Sequence, residues 1–413
     1  MTNFIDLFAG CGGLSLGLIR SGWTGVFAVE RDADAFATYD ANLLRSGHLP
    51  AFDWPEWLPR GPIDIRTLLA DHKSDLGRMQ GQIDLVAGSP PCQGFSTLGR
   101  RDPKDPRNRL FESYLEVVSL LKPHLLLMEN VPAFDYTSGQ DLGTDRDGTP
   151  VRRFSLLLKH RLWDLGYEVY SGVLKASDFG VAQSRPRFFL VGLLSRGSRD
   201  LHNGPFEILR RSRPEFLESL ELPKDEISVS EAISDLEVGW AGTRPCAESP
   251  THFEIDYKGP RTAYQRMLNQ GAGTHEPNSL RLPNHRKETV TRFGRILEQC
   301  KPGSKIPAEQ RLELGVRKHS IYLLHSDRPS PTLSTLPDDF VHYSEPRVLT
   351  VREMARLQGF PDWFSFSGKY TTGDTKRVYE CPRYTQVGNA VAPLVAQALG
   401  LALKSAIQVG VKR

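Results

Sequence analysis

The chain has 413 residues, of which 39% are hydrophobic and 24% charged, and its formal net charge is +3. This length favours two domains, since one domain takes roughly 150 residues. The N-terminus lacks a basic, apolar leader and no run approaches 18 uninterrupted apolar residues, so we expect neither a signal peptide nor a membrane span.

The first 195 residues alternate short apolar runs with helical patterns. The strand-like runs are NFIDLF, GVFAVE, IDLVAG, HLLLMEN and RFFLVGLL. Helical periodicity appears in LFESYLEVVSLLK and VRRFSLLLKHRLWDLG. This alternation predicts an α/β domain with a mostly parallel sheet covered on both faces. Such sheets bind ligands beyond the carboxyl ends of their strands.

The stretch DLFAGCGGLSLGL reads as a strand, a glycine-rich turn and a helix. Gly10, Gly12 and Gly13 permit a tight turn and a close approach of the backbone to a cofactor. Glu30 and Asp64 are candidates for binding a ribose and an adenine amino group. The spacing only resembles the dinucleotide fingerprint, so an adenosyl cofactor, NAD and a simple tight connection all remain open.

The stretch GSPPCQGFS places Cys92 in a loop stiffened by two prolines. A rigid loop at a strand end that presents one thiol suits a nucleophile, whereas a buried thiol needs no such frame. Both interpretations remain open for this stretch alone. The five cysteines are scattered, which indicates free thiols in a reducing, intracellular setting.

Charge and composition change after residue 195. Residues 258–318 hold 13 Lys and Arg against 5 Asp and Glu, whereas residues 215–256 hold 2 against 11. The basic block is either a phosphate-facing surface or a solvated face. We expect a first, α/β domain over 1–195, a second, irregular domain over 196–345, a returning hinge segment over 346–380, and a C-terminal helix over 381–413 that completes the first domain. The segment NAVAPLVAQALGLALKSAI predicts a single long helix that docks on the first domain.

In order, these segments resemble the DNA cytosine-5 methyltransferases over nearly the whole chain, apart from the middle domain. The motifs that carry the resemblance are DLFAGCGGLSLG, GSPPCQGFS, NRLF, ENVP, QSRPRFFLVG, RPSPTLST and QVGNAVAP. The resemblance implies a Rossmann-like catalytic and cofactor-binding domain over 1–195 that uses S-adenosylmethionine, with a smaller target-recognition domain over 196–345.

The resemblance also implies the site residues. Cys92 would attack carbon 6 of cytosine, Glu129 would serve its N3 and exocyclic amine, Arg187 would hold the base O2, and Arg185 would orient the loop or the carboxylate. For the arginines an ordinary salt bridge remains open, as does a helix cap for Glu129. The implied DNA contacts are Gln93, Ser96, Arg100 and Arg101, and no metal is expected. The implied cofactor-binding residues are Phe8, Gly10, Gly12, Gly13, Glu30, Asp64, Ile65, Pro91, Leu110, Asn389 and Val391.

The implied activity is methylation of carbon 5 of a flipped-out cytosine in a specific double-stranded DNA sequence. We expect a monomer in a prokaryotic cytoplasm, associated with the nucleoid through DNA, away from membranes, and beside a separate cognate restriction endonuclease. The alternatives are a transfer-RNA cytosine-5 methyltransferase, a solitary DNA methylase and a non-catalytic DNA-binding homologue.

Overall fold

The computed structural model describes residues 2–91, 109–136, 142–144, 149–194, 204–372 and 380–411. The strands within these ranges are β1 Asn3–Leu7, β2 Thr24–Val29, β3 Leu85–Gly88, β4 Leu125–Asn130, β5 Gly143–Thr144, β6 Pro150–Val151, β7 Tyr167–Lys175, β8 Gln183–Ser184, β9 Pro186–Leu194, β10 Thr243–Pro245, β11 Phe253–Ile255, β12 Ser304–Lys305, β13 Tyr322–Leu323, β14 Ser330–Pro331 and β15 Phe340–Val341.

Helices alternate with the strands in the first half and predominate in the second. They are α1 Gly13–Arg20, α2 Ala33–Tyr39, α3 Ile65–Asp71, α4 Lys73–Arg78, α5 Arg109–Leu121, α6 Phe154–Asp164, α7 Pro205–Ser219, α8 Val229–Ile233, α9 Val238–Ala241, α10 Ala263–Asn269, α11 Lys287–Gln299, α12 Ala308–Glu313, α13 Val351–Leu357, α14 Arg383–Asn389 and α15 Pro393–Val411.

A six-stranded sheet in the order β2-β1-β3-β4-β9-β7 forms the framework of the first unit. The pairings from β2 to β4 are parallel, and those of β4 with β9 and β9 with β7 are antiparallel. The predicted α/β fold with a mostly parallel sheet is therefore confirmed. Strand β7 was not predicted, because it is a half-exposed edge strand whose polar residues interrupt any apolar run.

The core of this unit lies on both faces of the sheet. Ile5 and Val86, which are paired in register, lie on one face, where they are completely buried and pack in one cluster with Val117 of α5. Phe4 and Leu85, which precede them in the same strands, point to the other face and are also completely buried. Each side chain of this size contributes about 1.5–3 kcal/mol when it is fully buried. Burial on both faces explains why these strands are continuous apolar runs in the sequence.

The chain divides into two compact units. The first comprises Met1–Lys175, Pro186–Arg213 and Val395–Arg413, and the second comprises Ala176–Arg185 and Pro214–Leu394. The second unit contains three small sheets, β10-β11, β12-β13-β15 and β14-β8. The functional division predicted from the sequence, with target recognition over 196–345, stays a prediction.

The C-terminal helix begins later than the sequence predicts. The expected single helix from Asn389 is broken, since α14 ends at Asn389 and α15 starts at Pro393. Proline disfavours the helical conformation of the residue before it and is suited to the first turn of a helix.

Helix α15 packs closely within the first unit. The indole Nε1 of Trp23 donates to the carbonyl of Gly400 at 3.0 Å, and a Cβ on Gly400 would lie 2.0 Å from Oγ of Ser21. The stretch Arg383–Ile407 is long and apolar enough to span a membrane by composition alone, but 67% of its most apolar window is buried inside the protein. A core helix has these properties, so the stretch is only weak support for a membrane span.

Buried ion pairs stabilise the second unit. Nε of Arg356 donates to Asp362 at 2.9 Å, and its Nη1 pairs with Asp235, with all three side chains fully enclosed. Arg347 holds Glu353 through two bonds of 2.7 and 2.8 Å. Breaking a buried pair by removing one partner typically costs about 3–5 kcal/mol, so these pairs fix the packing of α13.

Candidate active site

Four neighbouring parallel strands end at one edge of the sheet. Leu7 of β1 is in register with Val29 of β2 and Gly88 of β3, and Gly88 is in register with Met128 of β4. The segments that follow these strands therefore leave the sheet side by side, as expected for a ligand site in an open α/β sheet.

The glycine-rich turn after β1 has an unusual backbone. Phe8 has φ of +63°, which is uncommon for a residue with a side chain, and Gly10 and Gly12 have φ of +57° and +99°. A Cβ on Gly12 would lie 2.6 Å from Leu43, whereas one on Gly10 would meet nothing within 4 Å. The inner side of the turn is therefore closed by packing and its outer side is open. Gly13 follows as the first residue of α1.

Glu30 holds this turn in place. Its Oε2 accepts from the backbone N–H of Gly10 at 2.9 Å, and its Oε1 accepts from that of Asp32 at 2.8 Å. Burial raises the pKa of Glu30, and the two backbone donors oppose that rise. Each carboxylate oxygen still has a second lone pair, which suits it to accept from the two hydroxyls of a ribose.

Asp64 is the N-cap of α3. Its Oδ1 accepts from the backbone N–H of Arg66 at 2.9 Å, and the Arg66 guanidinium bonds both of its oxygens. These hydrogen bonds lower the pKa of Asp64. The backbone N–H of Ile63 donates to the carbonyl of Glu30 at 2.8 Å, which places this segment beside the glycine-rich turn.

Two other predicted cofactor residues are core residues. Ile65 and Leu110 are 2% and 6% exposed and belong to the hydrophobic cluster around the sheet. Any contact of Ile65 with an adenine would therefore involve its backbone more than its side chain.

The segment after β3 leads towards Cys92 and is held by a residue that the sequence did not single out. Ser89, Pro90 and Pro91 follow Gly88, and Cys92 lies outside the described residues. The side-chain amide of Asn130, at the end of β4, donates to the carbonyl of Pro90 at 3.2 Å. The only sequence signal was its place in ENVP, next to the predicted glutamate. Asn130 thus fixes the start of the cysteine loop relative to β4.

Glu129 and Arg187 form a nearly buried ion pair. Glu129 is in register with Phe189 of the antiparallel β9, which places Arg187 at the same end of the sheet. Nε of Arg187 lies 3.1 Å from Oε1 of Glu129, with side chains 15% and 10% exposed. A carboxylate and a guanidinium are thereby held together where the parallel strands end.

The remaining predicted residues divide into three groups. Arg185, in the second unit, is buried and donates to the carbonyls of Leu333 and Gly388 at 3.2 and 2.8 Å. Asn389 is exposed and Val391 buried at the break before α15, also in the second unit. The predicted DNA contacts, Gln93, Ser96, Arg100 and Arg101, lie outside the described residues.

Comparison with known proteins identifies the family. The model of the family described as C-5 cytosine-specific DNA methylase matches residues 2–405. This chain belongs to that family. Its activity is the transfer of the methyl group of S-adenosylmethionine to carbon 5 of cytosine.

Its relatives share nearly the whole chain. The methylase is 33% identical to the type II methyltransferase M.DdeI of Desulfomicrobium norvegicum, over 96% of this chain and 87% of that protein. It is 32% identical to M1.HphI of Haemophilus parahaemolyticus, over 97% and 86%. A crystal structure of a DNA modification methyltransferase encoded within a prophage (E. coli) matches with a TM-score of 0.62 and 25% identity, over 99% of this chain and 100% of that one.

The residues of the methylase suit S-adenosylmethionine. The glycine turn is open on its outer side, and Glu30 presents two oxygens at its rim. Glu30, the turn from Phe8 to Gly13 and the segment at Asp64 would hold the adenosyl group, and the bound group supplies the methyl. Among the described residues, no group of three His, Cys, Asp or Glu side chains is placed to hold a metal ion.

Proposed function

We propose that this methylase modifies a flipped-out cytosine in a specific double-stranded DNA sequence through a covalent bond from Cys92 to carbon 6. The observation that carries the proposal is the Glu129–Arg187 pair at the end of β4, beside the Asn130 amide that holds the segment leading into Cys92. The proposal thus draws the nucleophile, the acid–base group and the cation for the base from segments that follow or begin neighbouring strands.

The chemistry explains why these side chains are needed. Carbon 5 of cytosine is too electron-poor to attack a methyl group directly. Addition of the Cys92 thiolate at carbon 6 makes carbon 5 nucleophilic, while Glu129 shares a proton with N3 as charge builds there. After methylation, loss of the carbon-5 proton expels the thiolate and restores the aromatic ring. Arg187 orients Glu129 and holds the base O2.

The state of Cys11 supports Cys92 as the nucleophile. Cys11 also follows a strand of the sheet, but it is only 3% exposed. Burial raises the pKa of the Cys11 thiol to about 12. Since the thiolate is the reactive form, Cys11 is a poor nucleophile at neutral pH.

Arg185 has a positioning role in this proposal. It joins two carbonyls of the second unit and lies two residues before Arg187 in the chain. Asn389 and Val391 remain proposed cofactor residues, and Gln93, Ser96, Arg100 and Arg101 remain proposed DNA contacts.

The names of the relatives support a proposal about the biological setting of the enzyme. Two of them are named type II methyltransferases, so we infer that this enzyme is the modification partner of a separate restriction endonuclease. Such an enzyme would act as a monomer in the prokaryotic cytoplasm, at the nucleoid. Labelled S-adenosylmethionine offered with duplex DNA and with transfer RNA tests the substrate: methylated DNA supports the proposal, and methylated transfer RNA alone contradicts it.

The Glu30→Ala variant should bind S-adenosylmethionine about 10- to 100-fold more weakly. Glu30 accepts two backbone bonds and offers two further lone pairs to the ribose, and a hydrogen bond to a charged group is worth about 1.5–3 kcal/mol. Calorimetry measures the change. Asp34→Ala, which removes a nearby carboxylate from α2, is the control and should bind normally. Unchanged affinity of Glu30→Ala would remove Glu30 from the site.

Target recognition is proposed within residues 196–345. Over residues 204–345, which the structure describes, burial and hydrogen bonds show which side chains are available to contact bases. Gln265 is fully buried in the capping box of α10, and Asn269 donates to Asp362 at 3.0 Å, so neither is suited to reading bases. In contrast, Gln270 and His275 lie exposed in the loop after α10. Such side chains can read base edges in the major groove.

Replacing residues 196–345 by the corresponding segment of the M.DdeI relative should transfer that relative's sequence specificity. The graft leaves the strands of the central sheet in the first unit unchanged, and the bond from Arg185 to Leu333, within the segment, goes to a backbone carbonyl. Conversion sequencing of methylated DNA gives the sites of both parents and the graft. An active graft that still methylates the original sequence would place recognition elsewhere.

A further inference from the structure

A buried carboxyl group lies beneath the glycine-rich turn and has no role in the function proposed so far. Asp6 is in the middle of the sheet, in register with Ala28 on one side and Ala87 on the other, and is completely buried. A carboxyl group in this position is costly, because burial disfavours the charged form.

Asp6 is only partly hydrogen-bonded. Its Oδ2 accepts from Oγ of Ser15 at 2.6 Å, and that hydroxyl lies 2.9 Å from the hydroxyl of Tyr39. Among the described residues, neither Oδ1 of Asp6 nor the buried hydroxyl of Tyr114 has a hydrogen-bond partner. Buried polar groups without partners are rare in native proteins and call for a functional explanation.

The groups around Asp6 come from each element packed against it. Ser15 belongs to α1, Tyr39 to α2 and Tyr114 to α5, while Glu30 follows β2 and holds Gly10. Burial raises the pKa of Asp6 to about 7; the Ser15 hydrogen bond opposes this rise and the Glu30 charge adds to it. Burial also raises the pKa of both tyrosines, so they stay neutral. Asp6 therefore changes charge near neutral pH.

The cofactor changes charge during the reaction. S-adenosylmethionine carries a permanent positive charge on its sulfur, and the product S-adenosylhomocysteine has a neutral sulfur. The carboxylate of Glu30, which holds the glycine-rich turn, already acts on the charge of Asp6, so a charge on the bound cofactor would act on Asp6 in the same way. Such an interaction is stronger where the local dielectric constant is low.

We propose that Asp6 is a positioning residue that senses this charge: its carboxyl group releases a proton when the cationic donor binds and regains it when the neutral product remains. The ionised form would favour the donor over the product, so product release would be coupled to proton uptake. This inference rests on the cofactor site at the glycine-rich turn.

Calorimetry in buffers of different ionisation enthalpy tests it by counting protons released on binding. If binding lowers the pKa of Asp6 by one unit, the wild-type enzyme at pH 7 should release roughly 0.4 proton per S-adenosylmethionine. The preference for S-adenosylmethionine over S-adenosylhomocysteine should rise about fivefold between pH 6 and pH 8. Both effects should be absent from Asp6→Asn, which keeps the shape and an acceptor for Ser15. Protons released by the ligands themselves are the same for both proteins, so the difference between the wild type and Asp6→Asn excludes them.

Two further measurements distinguish the titration of Asp6 from a change in packing caused by the substitution. Ser15→Ala removes the bond that lowers the pKa of Asp6, so its proton release should move to higher pH. Asp6 ionises near pH 4 in the unfolded chain but near pH 7 in the folded protein, so the stability that protonated Asp6 supplies is lost as the pH rises between these values. The Tm of Asp6→Asn should therefore exceed that of the wild type by several degrees more at pH 8 than at pH 5.

The outcomes distinguish a failure of the role proposed for Asp6 from a failure of the proposed cofactor site. Equal proton release by the wild type and Asp6→Asn, or by S-adenosylmethionine and S-adenosylhomocysteine, would overturn the role of Asp6 and leave the cofactor site in place. No binding of S-adenosylmethionine by the wild type would overturn the cofactor site itself, and this inference with it.

Discussion

The Cys92→Ser variant should form no covalent adduct with a duplex that carries 5-fluorocytosine at the target position. In the wild type, addition at carbon 6 and methylation leave fluorine at carbon 5, so the final proton loss is blocked and the protein stays attached. A serine hydroxyl is far less ionised at neutral pH than a thiol, and removal of a covalent nucleophile typically costs about 10⁴- to 10⁶-fold in rate. The adduct is measured by denaturing electrophoresis and peptide mapping.

The control for this experiment is Cys381→Ser, which alters a half-buried thiol of the second unit. It should trap the duplex as the wild type does. Cys92→Ser should still bind DNA, because base flipping and phosphate contacts do not require the covalent bond. An adduct that maps to Cys11, or that persists in Cys92→Ser, would contradict the mechanism.

The Glu129→Gln variant should methylate DNA about 10²- to 10⁴-fold more slowly, with cofactor binding unchanged. Glutamine keeps the shape and an acceptor for Arg187, so the nearly buried guanidinium is not left unpaired. Arg187→Lys should slow the reaction about 10- to 100-fold, because lysine cannot reproduce the planar contact that holds the carboxylate. Single-turnover methyl transfer measures both changes.

An exposed pair of the same chemistry serves as the matched control. Glu207 and Arg211 lie 2.9 Å apart on α7, where an ion pair contributes at most about 1 kcal/mol. Glu207→Gln should leave methyl transfer unaltered. A single-turnover rate of Glu129→Gln equal to that of the control, with normal DNA binding, would remove Glu129 from the chemistry.

The sequence predicts the parts of this fold whose signals are local. Strands β1 to β4 are apolar runs because both faces of the sheet are covered, and Glu129 is found by its place directly after such a run. Asp64 could have been recognised as a helix N-cap from the residues after it. The break at Pro393 is likewise a local signal that the long apolar pattern concealed.

The remaining features depend on contacts between distant residues. The bond from Asn130 to Pro90 joins residues 40 positions apart, and the cluster of Asp6, Ser15 and Tyr39 joins a strand to two helices. Asp6 is visible in the sequence as a carboxyl group within an apolar strand, but the sequence alone does not show which side chains surround it in the fold. The partner of Arg187 likewise follows only from the antiparallel register of β4 and β9.

The packing of α15 has a consequence for the order in which the chain is made. A ribosome synthesises residue 213 long before Val395, although both belong to the same unit. Until Gly400 emerges, the indole of Trp23 lacks its carbonyl acceptor, and the surface around Ser21 lacks its cover. We therefore expect the nascent first unit to stay open through most of translation, so that a cofactor-competent molecule arises only after synthesis of the last helix.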